Sequence, residues 1–509
     1  MIEESADVVV IGGGGAGLAA AIEARSLGRS VILIEKNPKL GGTTGRSVGS
    51  ISATNTPHQI AAGIQDSPQE HFEDMPLFSQ KLGPRPDNEA LRRLLTENVP
   101  DTLRWLMEMG VVFFGPLAEP PHRKPRMHNV LPTSGAFPYI LGRRARRLDV
   151  DIRLETRARR FLVRDGRVTG VICETAGAGE HRFAARGGVV LATGDFTANP
   201  ELKAKYISPR IAMVQPVNPT STGDGHLMAF ELGARVLNGD ILPLYVRFAP
   251  PARKKLVQFL PPWKLITVPM KWAMQNLPAA LLRPFVMDFL TTVLAPSGKL
   301  FAAGAILVNA KGERFTDETR DASSALVDQP GHCGFIIFDQ AIAENFSQWP
   351  NFISTAPGVG YAYCQDYKRS RKDIYHEAAT IQGLAARLGL PDGSLATSIA
   401  TRDAAAQAAA RSKGDENVRP AGPWRAPFHA LGPVKLLLTL ADGGLDVTDR
   451  LEVKDRNGKA ISGLFAAGSV GQGGVLLEGH GHHLGWAFTS GRMAGRYAAY
   501  RAVSPVVVS

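Results

Sequence analysis

An α/β fold built on a parallel sheet is predicted by three features near the start of the chain. Val8 to Ile11 form an unbroken apolar run, short enough for a strand buried on both faces. An Ala-rich stretch, residues 16–25, follows with helix-forming composition, and a second apolar run, Val31 to Ile34, reads as the next strand. Gly12, Gly14 and Gly17 stand between the first strand and the helix at G-x-G-x-x-G spacing. Gly12 permits the tight turn, Gly14 leaves room for a pyrophosphate against the backbone, and Gly17 lets helix and strand pack closely. The start of such a helix offers unpaired N–H groups and a positive dipole end to phosphates. Glu35, closing the second strand, is placed to accept hydrogen bonds from a ribose. Strand, turn, helix, strand and acid together predict a Rossmann-like dinucleotide site.

Composition bounds the rest. The 509 residues are too many for one core and suit two domains. A hydrophobic content of 44% with 21% charged residues is ordinary for a globular protein. Cys173, Cys333 and Cys364 show no metal spacing, so neither a disulfide framework nor a cysteine metal site is expected, and a reducing compartment is. Met1-Ile2-Glu3-Glu4-Ser5 lacks the basic region of a signal peptide, and no apolar run is long enough to span a bilayer. A cytoplasmic protein is therefore expected, with peripheral contact at the inner face of the membrane as its only lipid association.

The net charge of +11 is uneven. Residues 241–300 hold eight basic side chains and a single acid, Asp288, a local charge of +7. The same stretch carries Phe259-Leu260-Pro261-Pro262-Trp263 and Trp272. No nucleic-acid motif accompanies these bases, which argues against a nucleic-acid partner. A cationic, aromatic segment broken by prolines suits a membrane contact or entry funnel, and equally a protein interface with snorkelling Lys and Arg.

The order of later motifs carries a family resemblance. Gly41-Gly42-Thr43-Thr44 follows the second strand, Gly187 to Gly194 reads GGVVLATG, and Gly463-Leu464-Phe465-Ala466-Ala467-Gly468-Ser469 precedes a Gly/His-rich loop and a last helix. An N-terminal βαβ unit completed from the C-terminus resembles the two-part domain of FAD-dependent oxidoreductases. Residues 304–323, GAILVNAKGERFTDETRDAS, resemble the capping domain of the fumarate reductase and ketosteroid dehydrogenase flavoproteins. The resemblance implies a Rossmann-like FAD-binding domain, residues 1–240 and 436–509, with an inserted α+β capping domain, residues 241–435. It places the cofactor against Gly12, Gly14, Gly15, Ala16, Gly17, Glu35 and Lys36, then Gly41, Gly42, Thr43, Thr44 and Ser47. Thr193, Gly194, Asp224, Gly468, Ser469 and Leu484 complete the expected contacts. Residues 41–53 contain no histidine, so FAD is expected to be non-covalent.

The resemblance also implies where chemistry sits. Arg320 matches the arginine that donates a proton in fumarate reductases, and stabilising an enolate oxygen is the easier role for a fixed cation. His480, His482 and His483 occupy the loop before the last helix, where a neutral imidazole can move protons. No carboxylate or cysteine stands at ligand spacing to them, so no metal is expected. His122 and His128 form a further pair, read as a solvated basic loop or as a wall of the substrate site. Several positions depart from the fumarate pattern. Leu440 and Tyr245 stand where clamp histidines are expected, Gly298 and Phe301 where a proton relay is, and the loop reads EGHGH from Glu478 to His482 instead of supplying an arginine.

The resulting expectation is an FAD-dependent dehydrogenase acting on a carbon–carbon bond beside a carbonyl, on an apolar ketone or acid. An enoate or enone reductase and a membrane-associated electron-transfer partner are the alternatives. No C-x-x-C-H haem motif and no second G-x-G-x-x-G module is evident, so a separate carrier or quinone is expected to exchange the electrons.

Overall fold

The computed structural model describes residues 2–502 except 176, 178, 252–255, 279–280, 284–286, 288–290, 292–293, 357–359 and 413–423; the side chains of 2, 256, 319–321, 356 and 405–412 are also left out. The chain divides into two compact units. The first comprises Met1–Pro243, Gln258–Asn276 and Thr439–Ser509; the second comprises Leu244–Val257 and Leu277–Leu438.

The first unit is organised by an eight-stranded sheet. Its central strand is Ile2–Ile11, flanked in parallel by Val31–Ile34 on one side and Gly179–Leu191 on the other. Val8 faces Val31 and Gly188, and Ile11 faces Ile34 and Leu191. Asp151–Arg153 extends one edge, and Ala460–Ala466, arriving from the far end of the chain, extends the other. Val8, Val9 and Val10 are buried, as a strand covered on both faces must be. Each such side chain contributes about 1.5–3 kcal/mol by leaving water.

The helix Gly15–Ser26 lies against the last helix, His482–Arg501. Their axes approach so closely that a Cβ on Gly491 would stand 2.3 Å from the Ala16 carbonyl oxygen. Buried Glu23 fixes the pair from below, accepting hydrogen bonds from Arg492 Nε at 3.0 Å and Arg496 Nε at 3.0 Å. The C-terminal segment is thereby built into the N-terminal nucleotide fold.

The second unit has a five-stranded sheet of its own, centred on the strand Phe428–Leu438. Leu244–Phe248, Cys333–Asp339 and Tyr375–Ala378 each pair with it antiparallel, and Ile306–Val308 pairs with Cys333–Asp339. Helices bring Leu384, Leu395 and Ile399 onto Ile306, Val308 and Ile337, an α+β core. Arg320 lies on the helix Glu318–Leu326, but its side chain is outside the described residues.

Candidate active site

One cavity in the first unit gathers residues distant in sequence. Gly12, Gly14, Gly15 and Ala16 form its floor, with Glu35, Lys36 and Asn37 at one end and Ala467, Gly468 and Ser469 at the other. Gly42, Thr43 and Thr44 close one wall, and Thr193, Gly194, Asn218, Ser221 and Asp224 another. Four expected contacts are not among the lining residues. Gly17 instead serves packing: a Cβ there would fall 1.8 Å from the Gly12 carbonyl oxygen. The Gly41 N–H donates to the Gly13 carbonyl at 2.9 Å, and Ser47 donates its hydroxyl to the Thr44 carbonyl at 2.8 Å, so both shape the wall from behind. Leu484 packs at the edge of the hydrophobic core. Arg157, Thr156 and Asn218 line the cavity but carry no motif, and only the fold brings them there.

The cavity fits an extended dinucleotide. At Gly14 an added Cβ would meet nothing within 4 Å, so the space above this glycine belongs to no protein atom. The helix that starts there has no side-chain cap and no acidic residue in its first turn, leaving its dipole end for an anion. Thr193 Oγ1 lines the cavity, is buried and has no protein partner among the described residues. A buried hydroxyl without a partner is costly unless a ligand supplies one.

Electrostatics organise the Glu35 end. The Glu35 carboxylate accepts the Gly13 N–H at 2.7 Å and the Asn37 N–H at 2.8 Å, which ties the glycine turn to the second strand. Asp224 accepts from Lys36 Nζ and from Arg157 Nη2, each at 2.8 Å. Burial alone would raise the Asp224 carboxyl, but its hydrogen bonds to Lys36 and Arg157 outweigh that and hold it below the usual carboxylate range. This places a fixed anion beside two fixed cations at the rim.

Past Ser469, the last helix begins at Gly481, with a φ of 92° and no side-chain cap. The three loop histidines take different places. His480 is half exposed and bound to Glu119, which accepts its backbone N–H at 3.0 Å. His483 lies one helical turn before Ala487, a lining residue, and so on the same helix face. Its Nε2 is 3.5 Å from Oδ1 of Asp442. Burial holds His483 down to about 4 and pushes Asp442, fully buried near Glu478, up to about 7. Neither Asp442 oxygen has a hydrogen-bond partner among the described residues, and Gln472 Oε1 is likewise unpartnered. A protonated Asp442 relieves that conflict, since a carboxylic acid can donate. No motif marks this acid in the sequence, where Asp442 stands directly before Gly443-Gly444.

His482 points elsewhere. It forms a buried cluster with His71 and His122, the three rings 5.2–5.3 Å apart, centre to centre. Burial depresses all three, His482 to about 4 and His122 to about 2, so the imidazoles are neutral. The His482 Nδ1–H donates to the Glu478 carbonyl, leaving Nε2 to accept from His71 Nε2–H at 3.2 Å. Arg126 donates to His122 Nδ1 at 2.9 Å, which puts the His122 proton on Nε2. A metal bound through Nε2 would need that proton on Nδ1, so the trio suits neutral hydrogen bonding better than a cation. His71 was not legible as part of this site, because it lies 411 residues from its partner. His122 and His128 are both buried, contrary to a solvated loop; His128 Nε2 pairs with Thr56 Oγ1 at 3.0 Å.

Tyr245 and Phe301 belong to the second unit. Tyr245 lies on the strand Leu244–Phe248 opposite Leu437, with the Arg247 guanidinium 5.8 Å from its ring centre. Phe301 is buried on the short helix Gly298–Ala302, and Leu440, in the first unit, is partly buried.

The sheet order and the glycine-floored cavity define a nucleotide-binding α/β flavoprotein. Residues 7–258 and 264–477 match the family described as FAD binding domain, and the chain belongs to that family. A probable fumarate reductase of Shewanella frigidimarina is 27% identical over 513 residues, covering 98% of this chain and 76% of that protein. Vinyl phenol reductase of Lactiplantibacillus plantarum is 27% identical over 542 residues, covering 99% of each. Among solved structures, the open conformation of a flavocytochrome c3 fumarate reductase superposes with a TM-score of 0.74 at 25% identity, over 98% of this chain and 79% of the other. A 3-ketosteroid-Δ4-(5α)-dehydrogenase of Rhodococcus jostii superposes with a TM-score of 0.60 at 25% identity, over 98% of each chain. The protein is an FAD-dependent oxidoreductase of the fumarate reductase type.

Proposed function

We propose that this oxidoreductase acts on a carbon–carbon bond beside a carbonyl in a fairly apolar ketone or acid. The first unit is read as the FAD-binding domain and the second as its cap. The carrying observation is the make-up of the segment after the flavin cradle. Between Glu478 and His483 there is no arginine, and His483, on the cavity face of the last helix, is neutral. The lysine beside this segment, Lys81, is held by Glu478 at 2.6 Å, so a second substrate carboxylate would have to compete for it, and burying an unpaired carboxylate costs several kcal/mol. By the resemblance, Leu440 and Phe301 stand at positions where the fumarate enzymes carry polar groups.

Bound FAD supplies the hydride chemistry, and its attachment is non-covalent. Gly14, Gly42 and the helix N-terminus would hold its pyrophosphate, and Glu35 with Asn37 would orient its ribose. The start of the last helix, without a side-chain cap, would offer its positive end to the flavin. Arg320 stabilises negative charge on the substrate oxygen, and His483 handles the proton with Tyr245 and His480 as further candidates. Electrons reach or leave the protein through a separate carrier or quinone. The basic, aromatic stretch 241–300 is the surface offered to a membrane or to a protein partner.

The reductive direction is a second reading, favoured by relatives whose names are reductases, including a vinyl phenol reductase whose named substrate carries no carboxylate. Mixing dithionite-reduced protein with 2-cyclohexenone, a 3-ketosteroid enone or fumarate under anaerobic conditions tests both. Rapid flavin reoxidation by an enone and negligible reoxidation by fumarate are expected. A steroid ketone that bleaches the oxidised flavin identifies the dehydrogenase direction. Fast turnover of fumarate or succinate overturns the apolar-substrate reading.

A further inference from the structure

We propose that the first unit docks on an anionic lipid bilayer through one surface, where the outward apolar stripe of the helix Lys264–Asn276 adjoins the arginine-bearing end of the helix Ala136–Arg147. Two observations point there, and neither depends on the redox chemistry.

The first is an inverted helix. A surface helix ordinarily turns its apolar stripe toward the core. In Lys264–Asn276 the residues Leu265, Val268 and Trp272, spaced three and four apart, are 84%, 52% and 58% exposed. Its inward face is held by polar groups instead: Thr267 is buried, and Lys271 Nζ lies 2.8 Å from His58 Nε2. Trp263, just before the helix, is also exposed, and its indole N–H donates to Tyr139 Oη at 3.1 Å. The outward stripe is therefore fixed in place by the rest of the unit and does not result from a loosely attached segment.

The second is the charge around it. Tyr139 belongs to the helix Ala136–Arg147, which carries Arg143, Arg144, Arg146 and Arg147, all exposed. None of the four forms an ion pair among the described residues. Arg143 and Arg147 line a groove together with Trp105, Trp263 and Lys264, and among the described residues that line it Glu108 is the one acid. Lys39 and Arg146 continue the cationic surface on the far side of Tyr139. An apolar stripe rich in Trp and Leu, bordered by unpaired arginines, matches the layered chemistry of an interface: acyl chains below, anionic headgroups above. A second copy of the chain would set this cationic rim against itself, which disfavours a symmetric dimer through the same face.

The test uses the FAD-loaded full chain and sucrose-loaded vesicles of phosphatidylcholine, alone or mixed with phosphatidylglycerol. Binding is expected to the mixed vesicles, weakly or not at all to phosphatidylcholine, and to weaken as salt is raised. Leu265→Ser with Trp272→Ser, and separately Arg143→Gln with Arg147→Gln, should each lower partitioning about tenfold or more. All these side chains are exposed, so flavin content and melting temperature should stay unchanged. Absence of sedimentation, equal binding to both vesicle types, or unaltered binding of both double variants overturns the proposal. So does a concentration-dependent dimer that the Leu265/Trp272 variant abolishes, since the stripe would then be covered by a second copy. Flavin reoxidation by an enone reads the proposed chemistry separately, so vesicle binding and catalysis can fail one without the other.

Discussion

Gly14 and Gly17 are three residues apart in one motif, yet adding the same methyl group should damage different things. At Gly14 the new Cβ meets no protein atom within 4 Å, and the backbone, at φ −78° and ψ −169°, is open to alanine. Gly14→Ala should therefore leave the fold intact and intrude only on the bound pyrophosphate. Overpacking a close contact costs about 1–3 kcal/mol, which corresponds to roughly ten- to a hundredfold weaker FAD binding. At Gly17 the Cβ would lie 1.8 Å from the Gly12 carbonyl oxygen, with Ala192 behind it at 3.3 Å. The Gly12 carbonyl cannot yield without moving the helix off the sheet, so the cost is at least about 3 kcal/mol and falls on the apoprotein. For a domain of this size that lowers the melting temperature by several degrees, at about 2–4 °C per kcal/mol. The assay is a pair of measurements on each variant: the apoprotein melt, and FAD affinity by titration. Wild-type FAD affinity in Gly14→Ala, or an unchanged apoprotein melt in Gly17→Ala, would refute the division of labour.

Other expectations follow from the same geometry. Acid precipitation should release all the flavin as FAD, because residues 41–53 contain no histidine for a covalent link; flavin left on the pellet contradicts this. Arg320→Ala should slow turnover by roughly a hundredfold or more with FAD still bound, and Arg320→Lys should restore little, lacking the planar fork; unaltered turnover removes Arg320 from the chemistry. For Asp442, the unfolded carboxyl titrates near 3.8 and the folded one near 7, so the folded chain keeps its proton longer and stability falls as pH rises through that window. Asp442→Asn removes the penalty, and its melting temperature should gain on wild type above pH 7 relative to pH 4; a gain at the acidic end instead would show that the carboxylate is stabilised by partners. The neutral trio His71, His122 and His482 should retain no zinc after dialysis, as read by elemental analysis, and stoichiometric zinc would require Arg126 to release His122.

What the sequence determined by itself is local or ordered along the chain. The strand Ile2–Ile11, the turn through Gly12 and Gly14, the helix Gly15–Ser26 and the strand Val31–Ile34 follow from apolar runs and glycine spacing, which act over a few residues. Most residues expected to contact the cofactor line the cavity, because they lie in or beside such motifs, and the succession of motifs pointed to the family. The tertiary structure alone decided how remote side chains meet. Arg157 pairs with Asp224 and lines the cavity because two strands and a helix converge, not because of any spacing between residues 157 and 224. His482 turned from its neighbour His483 into a cluster with His71 and His122, since successive helical residues point about 100° apart and only packing says what lies in each direction. Asp442 became a buried acid beside His483 for the same reason: sequence records which groups can ionise, while desolvation and the distance to a partner exist only once the chain has folded.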